Sequence, residues 1–161
     1  MDDAGVDFVV AAWRDEGEWA AITLPLEAGD GLEELEAALR RLPAPTGAVG
    51  FVSVADDFLV IARAIGDRSR LLLTDITAAH DWPIARQVLD RLGIPAPDDL
   101  DEVVPAGDLT LLNDFGVHAD DLAAVIDDID LYPDEIVVTI AERMGVGRVV
   151  DDLLAALPSG S

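Results

Sequence analysis

Residues 48–74 read AVGFVSVADDFLVIARAIGDRSRLLLT, and the fold turns on this stretch. Three apolar runs, Ala48 to Val54, Phe58 to Ile65 and Arg70 to Thr74, are divided by Asp56-Asp57 and by Gly66-Asp67. Runs of this length, rich in β-branched and aromatic residues and bounded by turn formers, predict a meander of three strands. Their apolarity is nearly continuous rather than alternating, so the sheet is expected to be covered on much of both faces.

Upstream, Val6 to Trp13 and Trp19 to Leu26 are β-rich and flank Asp15-Glu16-Gly17, the pattern of a hairpin. Asp30 and Glu33 form an Asp-x-x-Glu capping signal, and Leu32, Leu35, Leu39 and Leu42 follow at helical spacing until Pro43 and Pro45. Downstream, a second helix is predicted over Trp82 to Leu92, with Asp81 as N-cap, Pro83 in the first turn and Gly93 just past the end. Residues 6–93 thus read β-β-α-β-β-β-α, an order compatible with a five-stranded antiparallel sheet of profilin-like or roadblock-like form. That analogy is topological and carries no function.

Beyond it, Pro95, Pro97 and a run of acids predict a linker over 94–107. The pattern then becomes helical. Leu109 and Leu112 precede Gly116; Leu122, Val125, Ile126 and Ile129 share a face; Ile136, Val137, Ile140 and Met144 precede Gly145; Val149, Val150, Leu153, Leu154 and Leu157 close the chain. The expected class is α+β: a sheet domain over 1–93, a linker over 94–107, and an acidic bundle of short helices over 108–161.

Length allows one domain of ordinary size, and 51% hydrophobic against 27% charged residues marks a chain that folds. Against 33 Asp and Glu stand 10 basic residues, all arginine, for a net charge of -23. The excess is steepest from Asp98 onward, where Arg143 and Arg148 alone oppose 16 carboxylates. Such a surface repels phosphate backbones, so direct nucleic-acid binding is not expected. It would steer a basic protein towards it, although acidity also serves solubility alone.

Without cysteine there is no disulfide, thiolate nucleophile or Cys-ligated metal. Met1-Asp2-Asp3 lacks a basic n-region and no apolar run approaches the ~20 residues of a membrane span, so a cytoplasmic location is expected. His80 and His118 are too few for a zinc site, and neither sits in H-E-x-x-H. His118-Ala119-Asp120 departs from the His-x-Glu of nucleobase deaminases and has no Pro-Cys-x-x-Cys to follow; it reads as a helix start whose first turn favours Asp120 and Asp121. Asp99-Leu100-Asp101 and Asp128-Ile129-Asp130 do not continue into a calcium loop. Gly145-Val146-Gly147 lacks the strand and further glycine of a dinucleotide fingerprint, and Trp13, Trp19 and Trp82 read as packing residues. No catalytic residue, cofactor or metal is expected, while paired carboxylates among so many acids stay open.

Pro105-Ala106-Gly107-Asp108, Leu111-Leu112-Asn113-Asp114-Phe115-Gly116, Asp127-Asp128-Ile129-Asp130-Leu131-Tyr132-Pro133-Asp134-Glu135 and Ile140-Ala141-Glu142-Arg143-Met144-Gly145 together resemble the actinobacterial tRNA adenosine deaminase-associated proteins. Phe51 to Arg63 is similar too, although Val146 stands where that family has a phenylalanine. The resemblance implies no activity and no catalytic residue. It implies a candidate partner, a tRNA adenosine deaminase or another basic protein. The expected partner-binding surface is Asp127, Asp128, Asp130, Tyr132, Asp134 and Glu135, with Tyr132 as aromatic anchor and the acids as rim charges. The local alternative makes Tyr132-Pro133 a turn between helices, with Asp134 and Glu135 in the next first turn. The expected function is a non-enzymatic accessory or interaction protein; the alternative is an enzyme or small-ligand binder with a carboxylate site that sequence does not display.

Overall fold

The structure, a computed structural model, describes residues 5–98, 103–128 and 130–157. Three features read from the sequence lie outside the described residues: the start Met1-Asp2-Asp3, the Asp99-Leu100-Asp101 pair, and Ile129 on its helix face. The central apolar runs form strands β3 (Ala48–Val54), β4 (Phe58–Ile65) and β5 (Arg68–Leu73), joined as an antiparallel meander. The hairpin upstream supplies β1 (Val6–Asp15) and β2 (Glu18–Thr23). A sixth strand, β6 (Ala106–Gly107), pairs with β5. At two residues it has no periodicity to detect, which is why five strands were expected. The order is β2-β1-β3-β4-β5-β6, antiparallel throughout, and with five α-helices among the described residues the class is α+β.

Strand parity explains the continuous apolarity. On β4, Phe58, Val60, Ala62 and Ala64 face one layer, where α1 (Leu32–Arg40) and α2 (Pro83–Leu92) bring Leu32, Leu35, Leu39, Val88 and Leu89. The alternate residues Leu59 and Ile61 face the other layer. There α3 (Ala119–Ile126), α4 (Pro133–Met144) and α5 (Gly147–Ala155) contribute Leu122, Val137, Ile140 and Val150. Burying each such side chain fully is worth about 1.5–3 kcal/mol, so a strand buried on both sides needs no polar face. The helices after the expected linker therefore lie on the sheet, and residues 106–107 of that linker form β6.

Local signals met three adjustments. Asp30 does not cap α1, whose N-cap is Gly31; the first N–H, that of Leu32, donates instead to Oε1 of Gln87 on α2 at 2.7 Å. The cap of α2 is Trp82 rather than Asp81, with Pro83 and a left-handed Gly93 at its ends as expected. Leu109 to Gly116 forms a turn with a short 3₁₀ segment, Asn113–Phe115, rather than a helix. Trp13 is buried, Trp19 meets the ring of Phe115 edge-on at 4.8 Å, and Trp82 lies near Phe58. Gly107 requires its residue type, since its φ is +126° and a Cβ would collide with the Leu71 carbonyl across the β5–β6 pair.

Candidate functional site

Asp127 ends α3 as its C-cap, and Asp128 accepts the Asp130 backbone N–H on Oδ1 at 2.9 Å, closing a tight Asx turn. Tyr132 is the N-cap of α4, and its backbone N–H donates to Oε1 of Glu135 at 2.9 Å. Asp134 and Glu135 occupy the first turn of α4, where the helix dipole favours negative charge. These six residues thus build the α3–α4 corner. They also protrude from it: the four aspartates and Glu135 are exposed, and Tyr132 is 62% exposed.

The sheet brings further acids to this corner. Register places the β3–β4 turn, Ala55 to Asp57, at one end of the sheet beside Val6 of β1 and Leu73 of β5. The β1–β3 register slips between Val6 and Phe8, at Asp7, and such an irregularity re-aims a side chain. The Asp7 carboxylate accepts the Ser53 hydroxyl at 2.9 Å and the Asp56 N–H at 2.7 Å, steadying a turn in which Ala55 and Asp56 both hold positive φ. Burial, then the charges of Asp7, Asp134, Asp57 and Glu135, push the Asp56 carboxyl up. Burial and Asp75 push up Asp57. Of the predicted residues, Asp134 and Glu135 are therefore within electrostatic reach of the sheet acids, while Asp127, Asp130 and Tyr132 stand on the same connection. Among the described residues, none of these acids forms an ion pair.

Between the two sets lies a cleft of about 180 Å³. Phe58, Ile126, Leu131, Pro133 and Ile136 form its wall, and Asp57, Asp75 and Asp128 stand around it. Sequence reasoning missed Asp7, Asp56, Asp57 and Asp75. Their signal was present in part, because adjacent Asp56-Asp57 between two strands fixes an acidic turn, but its partner across the sheet depends on topology.

The histidines serve local contacts, His80 with the Pro97 carbonyl and His118 with Oδ1 of Asn113. His118 also opens α3, with Asp120 and Asp121 in the first turn. Among the described residues, no three His, Asp or Glu side chains gather in a group that could hold a metal ion, and no helix is long and apolar enough to cross a membrane.

Residues 7–147 match the family model described as Rv3753c-like tRNA adenosine deaminase-associated protein. The chain belongs to this family. One relative, Protein Rv3753c of Mycobacterium tuberculosis (strain H37Rv), is 40% identical over 153 residues, which is 91% of this chain and 88% of the relative. No solved structure matches the chain.

The Rv3753c-like match begins at Asp7 and ends at Gly147, so it takes in the sheet except Val6, the acidic corner and α4. It also contains a second polar cluster at the far end of the sheet. Arg63, on β4 and 2% exposed, donates to both carboxylate oxygens of Asp114, at 2.5 and 2.8 Å. It donates further to the carbonyls of Leu111 and Thr46, and its guanidinium carbon lies 3.9 Å from the Phe115 ring centre. Its Nε is buried without a partner. The Leu-Leu-Asn-Asp-Phe-Gly stretch is thereby latched onto the sheet, and the Arg63 hydrogen bonds hold the Asp114 carboxyl below its usual range against the opposing effect of burial.

Proposed function

We propose that this chain is a non-enzymatic accessory protein that binds a basic protein surface through the acidic corner, and that a tRNA adenosine deaminase is the first partner to test. The observation that carries this reading is the convergence of unpaired carboxylates from β1, the β3–β4 turn and the start of α4, with exposed Tyr132 among them. Like charges held together cost free energy unless something offsets them, and a cationic partner does so. An enzyme that handles tRNA carries cationic side chains for the phosphates. The family name supports the choice of partner.

The cleft beside the corner, at about 180 Å³, lies below the ~300 Å³ at which small-molecule pockets begin. A larger groove of about 640 Å³ between α1 and α2 is lined by Glu33, Glu34, Gln87, Asp90 and Arg91, unlike the mostly apolar walls of ligand sites. Size and lining therefore favour a protein partner.

The test is binding of the purified chain to the deaminase from the same cell at low and moderate salt. Binding should weaken as salt rises, and replacing Asp127, Asp128 and Asp130 by Lys should slow association about tenfold with little change in dissociation. No binding at either salt ends the deaminase assignment; unchanged kinetics in the triple variant moves the surface elsewhere.

A further inference from the structure

We propose that the cleft at the acidic corner is a docking point for one aliphatic side chain carried on an arginine- or lysine-flanked segment of the partner, an inference that rests on the function proposed above. The wall of the cleft is apolar and comes from three elements: Phe58 at the start of β4, Ile126 at the end of α3, and Pro133 and Ile136 of α4, with half-buried Leu131 between the helices. Val103, 62% exposed, extends this apolar surface at the rim.

Asp57, Asp75 and Asp128 also line the cleft, with Asp57 and Asp75 within electrostatic reach of each other. Asp75 and Asp128 each already accept a backbone N–H on Oδ1, which fixes their carboxylates in place. An anchor in a small, water-excluding hollow with charges at its edge is the arrangement that concentrates binding energy in protein interfaces. The dimensions suit one side chain, and the charges select what lies beside it.

A second copy of this chain is a poor occupant, because it would bring a net charge of -23 against the same acids. A phosphate-bearing ligand meets the same repulsion. A basic segment is complementary on both counts.

Two acetylated peptides test this, Arg-Arg-Leu-Arg-Arg and Arg-Arg-Ser-Arg-Arg, titrated at low salt into the isotopically labelled full chain and followed by backbone amide shifts. The leucine peptide should bind at least about tenfold more tightly, the loss expected when an anchor of about 1.5–3 kcal/mol is removed. Its shifts should centre on Leu131 and Ile136. Leu131→Ala should narrow the difference between the peptides, and because half-buried Leu131 also packs against the core, retained amide dispersion must show that the variant is folded. Asp57→Asn with Asp128→Asn should weaken both peptides alike. Equal binding of the two peptides, or no binding of either, overturns the docking site. If the deaminase binds in those cases, the accessory role stands and only the cleft assignment falls; if the leucine peptide binds and the deaminase does not, the cleft stands and the named partner falls.

Discussion

The two ends of the sheet hold carboxylates in opposite ways. At the end where β1 and β2 turn, Asp114 is matched oxygen by oxygen to buried Arg63, and Asp108 is paired with Arg70 at 2.6 Å. Register places Arg14, Arg63, Arg68 and Arg70 towards this end. At the other end, Asp7, Asp56, Asp57 and Asp75 meet Asp128, Asp134 and Glu135 without an arginine partner among the described residues. Net charge does not distinguish these arrangements, yet their consequences differ. Paired acids hold the chain together, whereas at the other end burial and like charge disfavour the ionised Asp56 and Asp57, and the carboxylates remain available to something outside the molecule.

The largest expected effect breaks the paired end. Asp114→Ala leaves a buried guanidinium without its carboxylate, a change that costs about 3–5 kcal/mol when the whole pair is buried. Asp114 is 57% exposed, and the Leu111 and Thr46 carbonyls still accept from Arg63, so a loss of about 2–3 kcal/mol is expected. For a chain of this size that lowers the thermal midpoint by roughly 5–10 °C, measured by calorimetry or circular dichroism. A fall under 1 °C would mean that the latch is ornamental and that the two ends do not differ as described.

Next in size is the dependence on acid. A carboxyl whose pKa is lowered by folding, as for Asp114 and Glu36, contributes stability that is complete above the unfolded value near 4 and is lost as pH falls through the lower folded value. A raised carboxyl, as for Asp56 and Asp57, does the reverse: its cost is complete above the folded value and disappears as pH falls below the unfolded one. Denaturant melts from pH 7 to pH 2.5 should therefore show Asp114→Asn flattening the acid limb and Asp57→Asn steepening it. Parallel curves for the two variants would erase the contrast.

Sequence displayed one part of this contrast and concealed the other. The meander was legible to the residue for Ala48–Val54 and Phe58–Ile65, because a strand buried on both faces is an unbroken apolar run. Arg63 stands in that run as a cation among apolar residues, and burying it there obliges it to find a partner. Its partner, 51 residues away, was not visible, since pairing depends on which face the later helices cover. Half of the acidic corner was legible from Asp127 to Glu135, where helix starts and turns follow local rules. The other half arrives through strand register, and through an irregularity at Asp7 that no spacing announces.

The smallest effect is the sharpest probe of the unpaired end. Asp56→Asn keeps the shape of the side chain and the N–H that donates to Asp7, and asparagine is at home at the positive φ of 50° found here. What it removes is a negative charge disfavoured by burial and by four neighbouring acids. At pH 7 the variant should be more stable by about 0.3 kcal/mol, the scale of exposed charge interactions, and the gain should shrink in high salt and vanish below pH 3. The same exchange at Asp114 should destabilise. If Asp56→Asn instead weakens the protein, then a cationic group already satisfies that carboxylate in the free chain, and the acidic corner is a structural pair like its counterpart rather than a surface held open for a partner.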